Sequence, residues 1–281
     1  MKVVSFANVN HGGLVNLQNS IKPGWEHIVI GKDLPWKGWK TRTKAIIDYL
    51  TGLDKKSELI VLCDAFDVLC LRDSEQFEQI FSEFKTNVVV SAESICNMSN
   101  CFSPTQFWNA RNITSKNKYC CAGLVCGYAD ALLNMYQFVL NYEDDQIGIG
   151  HFMNEQVNAI SLDTEHQLFF NDNYGSMEYK LLENNSIEYE NKIIQPFFIH
   201  FPGMNILGSI RIFHPFYTPF ESGKNYSRVG TQVNGDMFLE QNLASSNAYQ
   251  TSAWIERSVF LIASSFLIVL SLYFLFRKKH T

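Results

Sequence analysis

Two carboxylates three positions apart, Asp64 and Asp67, stand in the run Cys63-Asp64-Ala65-Phe66-Asp67, directly after the apolar stretch Glu58–Cys63. Carboxylates at the mouth of a buried strand lose hydration and repel each other unless a cation lies between them. A hard divalent ion that also bridges phosphate oxygens is the natural partner, and a solvated acidic turn is the bland alternative. His200, in Ile199-His200-Phe201-Pro202-Gly203, follows the apolar run Phe197–Ile199 and so also sits at a strand exit. A lone histidine is more often structural, but beside two metal-seeking carboxylates it becomes a third ligand, and imidazole suits Mn²⁺ better than Mg²⁺. A further acidic cluster, Glu143-Asp144-Asp145-Gln146, has two readings. Consecutive acids favour a helix N-terminus; they also grip vicinal hydroxyls such as those of a sugar and can assist a transfer step.

Such residues need a scaffold, and apolar runs bounded by turns supply one. Lys2–Ala7, Trp25–Ile30, Glu58–Cys63 and Asn87–Ser91 read as strands. Lys40–Gly52 carries Ala45, Ile46, Tyr49 and Leu50 at helical spacing, and Ser74–Phe84 places Phe77, Ile80, Phe81 and Phe84 on one face. Ala129–Asn141 reads as a helix and Asn154–Ile160 as another. Wholly apolar strands alternating with helices predict an α/β fold, a mostly parallel sheet covered on both faces. Ligands of such sheets bind beyond the carboxyl ends of the strands, where Asp64 stands.

The rest of the chain sets limits. With 281 residues and a net charge of −5, it has no basic stripe for nucleic acid. All seven cysteines fall between Cys63 and Cys126 without a Cys-x-x-Cys pair, which excludes a zinc ribbon and favours buried thiols; the neighbours Cys96/Cys101 and Cys120/Cys126 keep a disulfide reading open. Residues 258–276 are uncharged and mostly Leu, Ile, Val and Phe, with Trp254 before them and Arg277-Lys278-Lys279 after. A helix of that length matches a bilayer core, so a single C-terminal membrane span is expected. The expected organisation is a globular domain at 1–220, a polar tether at 221–257, the span and a basic tail at 277–281. Without a translocation signal upstream, the domain is expected to face the cytosol; the sequons at Asn97, Asn112, Asn184 and Asn225 point the other way.

Taken in order, these landmarks resemble the glycosyltransferase domain of the procollagen lysyl hydroxylase/glycosyltransferase family. Asp64-Ala65-Phe66-Asp67 is similar to the Asp-x-x-Asp metal motif of GT-A-type nucleotide-sugar transferases. Val88-Val89-Val90-Ser91-Ala92-Glu93, Gly123 to Ala129, Asp144-Asp145-Gln146, Leu162-Asp163, Phe169 and the closing His200/Gly203 follow the family's order. The resemblance spans roughly Trp25 to Gly203. It implies a GT-A-like, Rossmann-type fold in which Asp64, Asp67 and His200 hold Mn²⁺ against a UDP-sugar. It further implies that Phe66, Lys44, Gly203 and Trp36 or Trp39 contact the nucleotide, and that Asp144 and Asp145 face sugar or acceptor. The chain departs from the pattern in the Gly-rich loop, here Trp36-Lys37-Gly38-Trp39-Lys40-Thr41, and after Gly203, where Asn205 and Ile206 replace a basic residue.

The implied activity is transfer of a hexose, glucose or galactose, from a UDP-hexose donor to an acceptor hydroxyl, with a retaining outcome. The acceptor is a glycan or a hydroxylysine-type protein side chain, with a lipid also open. A catalytically silent, membrane-tethered glycan- or protein-binding module is the alternative, and the intact Asp64, Asp67, His200 and Asp144 count against it. A metal-dependent phosphohydrolase is disfavoured for want of a second carboxylate/His set.

Overall fold

The computed structural model describes residues 1–9, 12–94, 113–172, 179–182, 184–202, 225–228 and 231–234. In chain order the first half runs β1 (Lys2–Phe6), α1 (Gly12–Ser20), β2 (Glu26–Ile30), α2 (Trp39–Thr51), β3 (Leu59–Asp64), β4 (Val68–Cys70), α3 (Phe77–Glu83) and β5 (Val88–Glu93). It continues with β6 (Tyr119–Tyr128), α4 (Ala129–Val139), α5 (Asp145–Glu155), β7 (Ile160–Asp163), β8 (Phe169–Asn171), β9 (Tyr179–Leu181), β10 (Ile187–Tyr189), β11 (Lys192–Ile194) and β12 (Phe198–His200). A short antiparallel ladder, β13 (Asn225–Arg228) with β14 (Thr231–Asn234), falls where a polar tether is expected.

The central sheet has the order β2-β1-β3-β6-β5-β7. β1 is parallel to both β2 and β3, β5 is parallel to β7, and β6 alone runs antiparallel, between β3 and β5. The α/β, mostly parallel architecture is thus as expected. The strand order reverses at β1: the first crossover, through α1, leads to one side of it and the next, through α2, to the other. The crevice beyond the carboxyl ends of β1 and β3 is therefore a topological switch point.

Both faces of the sheet are covered, which explains the unbroken apolar strands. Along β3, Ile60 and Leu62 join the core under α2, α4 and α5, whereas Leu59, Val61 and Cys63 join the core containing Trp25, Phe77 and Phe81. In α4, Leu132, Met135, Tyr136 and Val139 are buried at i, i+3, i+4 and i+7. Of these, Leu132, Met135 and Val139 each contribute about 1.5–3 kcal/mol on full burial. α2 turns Ile46 and Leu50 to the same core and ends at Gly52.

Two expectations are corrected. No helix covers Asn154–Ile160: α5 starts earlier, capped by Asp144, and ends at Glu155, and Ile160 opens β7, which adds to the sheet edge beside β5. Cys120 and Cys126 are not joined; they are buried and free, as are Cys63, Cys70 and Cys121, consistent with the thiol reading. Cys96, Cys101 and Gly203 lie outside the described residues. So does the span expected at 258–276 with its basic tail. Among the described residues no helix is long and apolar enough to cross a membrane.

Candidate metal and donor site

At the switch point lies a cleft of about 550 Å³, within the usual range of small-molecule sites. The central sheet supplies Phe6 and Asn8 from the end of β1, Asp64 from the end of β3, and Glu93 from the end of β5. β6 contributes Cys121, Ala122 and Gly123. Its pairing with β5 slips at this point, Val90 facing Val125 while Ser91 faces Cys121, so residues 122–124 have no partner on β5.

A second, smaller sheet of order β4-β12-β8 carries the remaining ligand candidates. Its register sets His200 opposite Val68 on one side and Asn171 on the other, and Phe201 N–H donates to the Asp67 carbonyl at 2.8 Å. Hydrogen bonding between short strands thus brings His200 beside an acidic pair far away in sequence. Ligand atoms of Asp64, Asp67 and His200 all lie within 4.8 Å of one another, a set that can hold one cation.

The imidazole is oriented for that task. Asn171 Nδ2 donates to the Ala92 carbonyl at 2.8 Å, which turns Asn171 Oδ1 toward His200 Nδ1 at 2.9 Å. Nδ1 therefore carries a proton, which leaves Nε2 as the nitrogen turned toward the carboxylates, the outer arrangement common around metal-ligating histidines. Nε2 is buried without a hydrogen-bond partner and lies 3.6 Å from both Asp64 Oδ2 and Asp67 Oδ2. That orphaned nitrogen between two carboxylates fits a divalent ion. Gly123 makes room for the ring, since a Cβ there would fall 2.2 Å from His200 Cε1.

The acidic cluster divides in two. Asp144 is the N-cap of α5, its Oδ1 accepting from Ile147 N–H at 3.0 Å, and it also lines the cleft. Asp145 is buried at 4% exposure and bonds Arg42 at 2.6 Å. Burial pushes its carboxyl up to about 6, against the pull of Arg42. Arg42 also reaches Asp64 Oδ1 at 2.8 Å.

Trp36 and Trp39 stand edge-to-face at 5.3 Å on the cleft wall, 47% and 42% exposed, and Phe66 also lines it. Exposed aromatic faces at a cleft mouth suit stacking on a flat base. Lys44 does not join them: it lies exposed on α2 away from the cleft, and Arg42, two residues earlier, points in. Arg42, Glu93, Gln146 and Asn171 are missed by the sequence reading. A signal existed for two of them, since Glu93 ends an apolar strand and Gln146 follows the acidic pair. Gln146 Oε1 accepts from Ala122 N–H while its Nε2 reaches Glu93 Oε1 at 3.3 Å. Glu93 Oε2 is buried without a partner, and burial lifts this carboxyl to about 8, opposed by His200 and Gln146.

Residues 1–206 match the family model described as the PLOD GT domain. No curated protein sequence matches the chain. Among solved structures, one similar chain is the galactosyltransferase LgtC in complex with donor and acceptor sugar analogues. It is 11% identical at a TM-score of 0.43, over 72% of this chain and 87% of that one. Another is the apo structure of the bifunctional glycosyltransferase WbbM, 11% identical at a TM-score of 0.41, over 72% of this chain and 45% of that longer one.

Proposed function

The chain belongs to the family of PLOD glycosyltransferase domains, and from that premise we propose that it transfers a hexose, glucose or galactose, from a UDP-sugar to an acceptor hydroxyl with the help of a divalent metal. The observation that carries the metal is the unpartnered His200 Nε2 between Asp64 and Asp67. A bound Mn²⁺ supplies Lewis-acid stabilisation of the departing diphosphate, where negative charge develops.

The chain's own residues do the rest. Asp64, Asp67 and His200 would hold the cation at the strand mouth, and through its charge the diphosphate end of the donor would be drawn there. Trp36 or Trp39, with Phe66, flanks the base. Asp144 and Asp145 face the sugar or acceptor from the start of α5. Glu93, whose carboxyl burial pushes up to about 8, lines the same floor with its Oε2 unpartnered. The bond from the anomeric carbon to the diphosphate oxygen breaks, a bond from the acceptor oxygen forms, and the acceptor proton leaves with UDP or to solvent. The acceptor class suggested by the family is a glycan or a hydroxylysine-type side chain.

The test is turnover of UDP-glucose and UDP-galactose by the full chain, with Mn²⁺ and after chelation. Metal-dependent release of UDP from one of them supports the assignment; release that is indifferent to chelation contradicts it. The apolar stretch 258–276 supports a single-pass anchor. The full-length chain is accordingly expected in the membrane fraction, and its recovery in the soluble fraction without detergent would refute the anchor.

A further inference from the structure

One buried cation joins the two halves of the cleft. Arg42 projects from the first turn of α2 with its side chain only 4% exposed. Its Nη2 donates to Asp64 Oδ1 at 2.8 Å, its Nη1 to Asp145 Oδ2 at 2.6 Å, and Nη2 also reaches the Ala122 carbonyl at 3.3 Å. The guanidinium is planar and always charged, so its two nitrogens aim in fixed directions. Each is committed to a different carboxylate.

The consequence falls on Asp64. A carboxylate at the end of its side chain turns about a soft, two-fold torsion and offers either oxygen. Here Oδ1 is taken by Arg42, and Oδ2 is the oxygen left facing His200 Nε2. Asp145, on the other nitrogen, is held away from the Asp64/Asp67 pair, so that a third buried carboxylate does not turn into the cation position. We infer that Arg42 is a positioning residue for the metal site: its fork selects the metal-facing oxygen of Asp64 and ties that choice to the placement of Asp145. This rests on the metal-dependent reading proposed above.

A purely structural Arg42 would neutralise Asp145 and do nothing more. The two roles separate in Mn²⁺ affinity, measured calorimetrically with UDP present, on full-length Arg42→Lys, Asp145→Asn and the double variant Arg42→Met/Asp145→Asn, each with its melting temperature. The double variant removes both members of the buried pair and leaves no charge stranded by the change at Asp145. Loss of the outer partner of a metal ligand typically weakens metal binding about 10–100-fold, and a loss in that range is expected in the double variant. Asp145→Asn alone, with Arg42 still on Asp64, should stay within about 3-fold of wild type, far from the 10–100-fold range of a lost ligand partner. Arg42→Lys should fall between, because a single ammonium cannot serve both carboxylates in fixed directions.

Wild-type Mn²⁺ affinity in the folded double variant would overturn the positioning role and leave the metal reading standing. If the double variant fails to fold, wild-type affinity in Arg42→Lys overturns the role equally. A wild-type chain that binds no Mn²⁺ with UDP overturns the metal reading and this inference together.

Discussion

The two walls of the cleft differ in how far the protein satisfies its own polar groups. On the wall built by β3, β4 and β12, His200 Nε2 faces two carboxylate oxygens at 3.6 Å, too far for good hydrogen bonds. On the wall built by α2 and the start of α5, the acids are engaged: Asp144 caps its helix and Asp145 pairs with Arg42 at 2.6 Å. Buried groups left short of partners need an incoming ligand, because an orphaned buried polar atom costs about 1–3 kcal/mol. Groups already satisfied position what is brought. The first wall therefore fits the cation of the proposed function, and the second borders the space beside it.

The largest effect should come from the wall that carries the unpartnered imidazole nitrogen. Asp64→Ala or Asp67→Ala is expected to lower metal-dependent UDP affinity by well over about 100-fold, more than loss of an outer partner does, while far-UV circular dichroism stays native. Unchanged metal dependence in either variant would erase the distinction between the walls. Next comes Asp145→Asn. It should lower turnover about 10²-fold. It should also cost up to about 3 kcal/mol of stability, below a fully broken buried pair because Asp64 still holds Arg42. Transfer rates and melting curves on one preparation check both. Wild-type turnover would return Asp145 to a purely structural ion pair.

A smaller effect involves Glu93. Burial raises its pKa from 4.5 to about 8, so the folded chain keeps a proton that the unfolded chain has lost. Stability of the metal-free protein therefore falls as pH rises through that window, and Glu93→Gln should flatten the fall. The difference should reach several degrees in melting temperature, since about 1 kcal/mol moves a chain of this size by about 2–4 °C. A pH profile of melting in chelator, identical in the two proteins, would contradict this account of Glu93.

The smallest effect is expected at Asp144. Asparagine still caps a helix, and the lost charge–dipole contribution is about 0.3–1 kcal/mol. Melting of Asp144→Asn should stay within that limit, and a larger loss means that the carboxylate does more than cap.

Comparing the walls also explains what the sequence could show. The runs Leu59–Cys63 and Val88–Val90 are wholly apolar, and burial on both faces demands that pattern, so the sheet and the ligand position at its end are legible. β6 is not: Tyr119–Tyr128 mixes cysteine, alanine and glycine, and it runs antiparallel between β3 and β5, a direction that no local pattern encodes. Asp64, Asp67 and His200 are readable because metal-seeking residues at strand exits are costly otherwise. Arg42 is hidden because a helical arginine usually faces water, and only the long-range approach of α5 to α2 reveals that it is buried. Lys44, the more obvious lysine, faces outward for the same geometric reason: two residues along a helix turn a side chain through more than half a circle. Asn171 is readable only from the register of the small sheet, which no local pattern encodes.

The central claim is that Asp64, Asp67 and His200 form a cation seat that serves a nucleotide-sugar donor. Its most direct test is a calorimetric titration of Mn²⁺ into the wild-type chain with UDP, repeated on His200→Ala. The account predicts a single UDP-dependent Mn²⁺ site in wild type, weakened at least about 10-fold when the imidazole is removed. Equal Mn²⁺ binding in both proteins, or none in wild type, would contradict it.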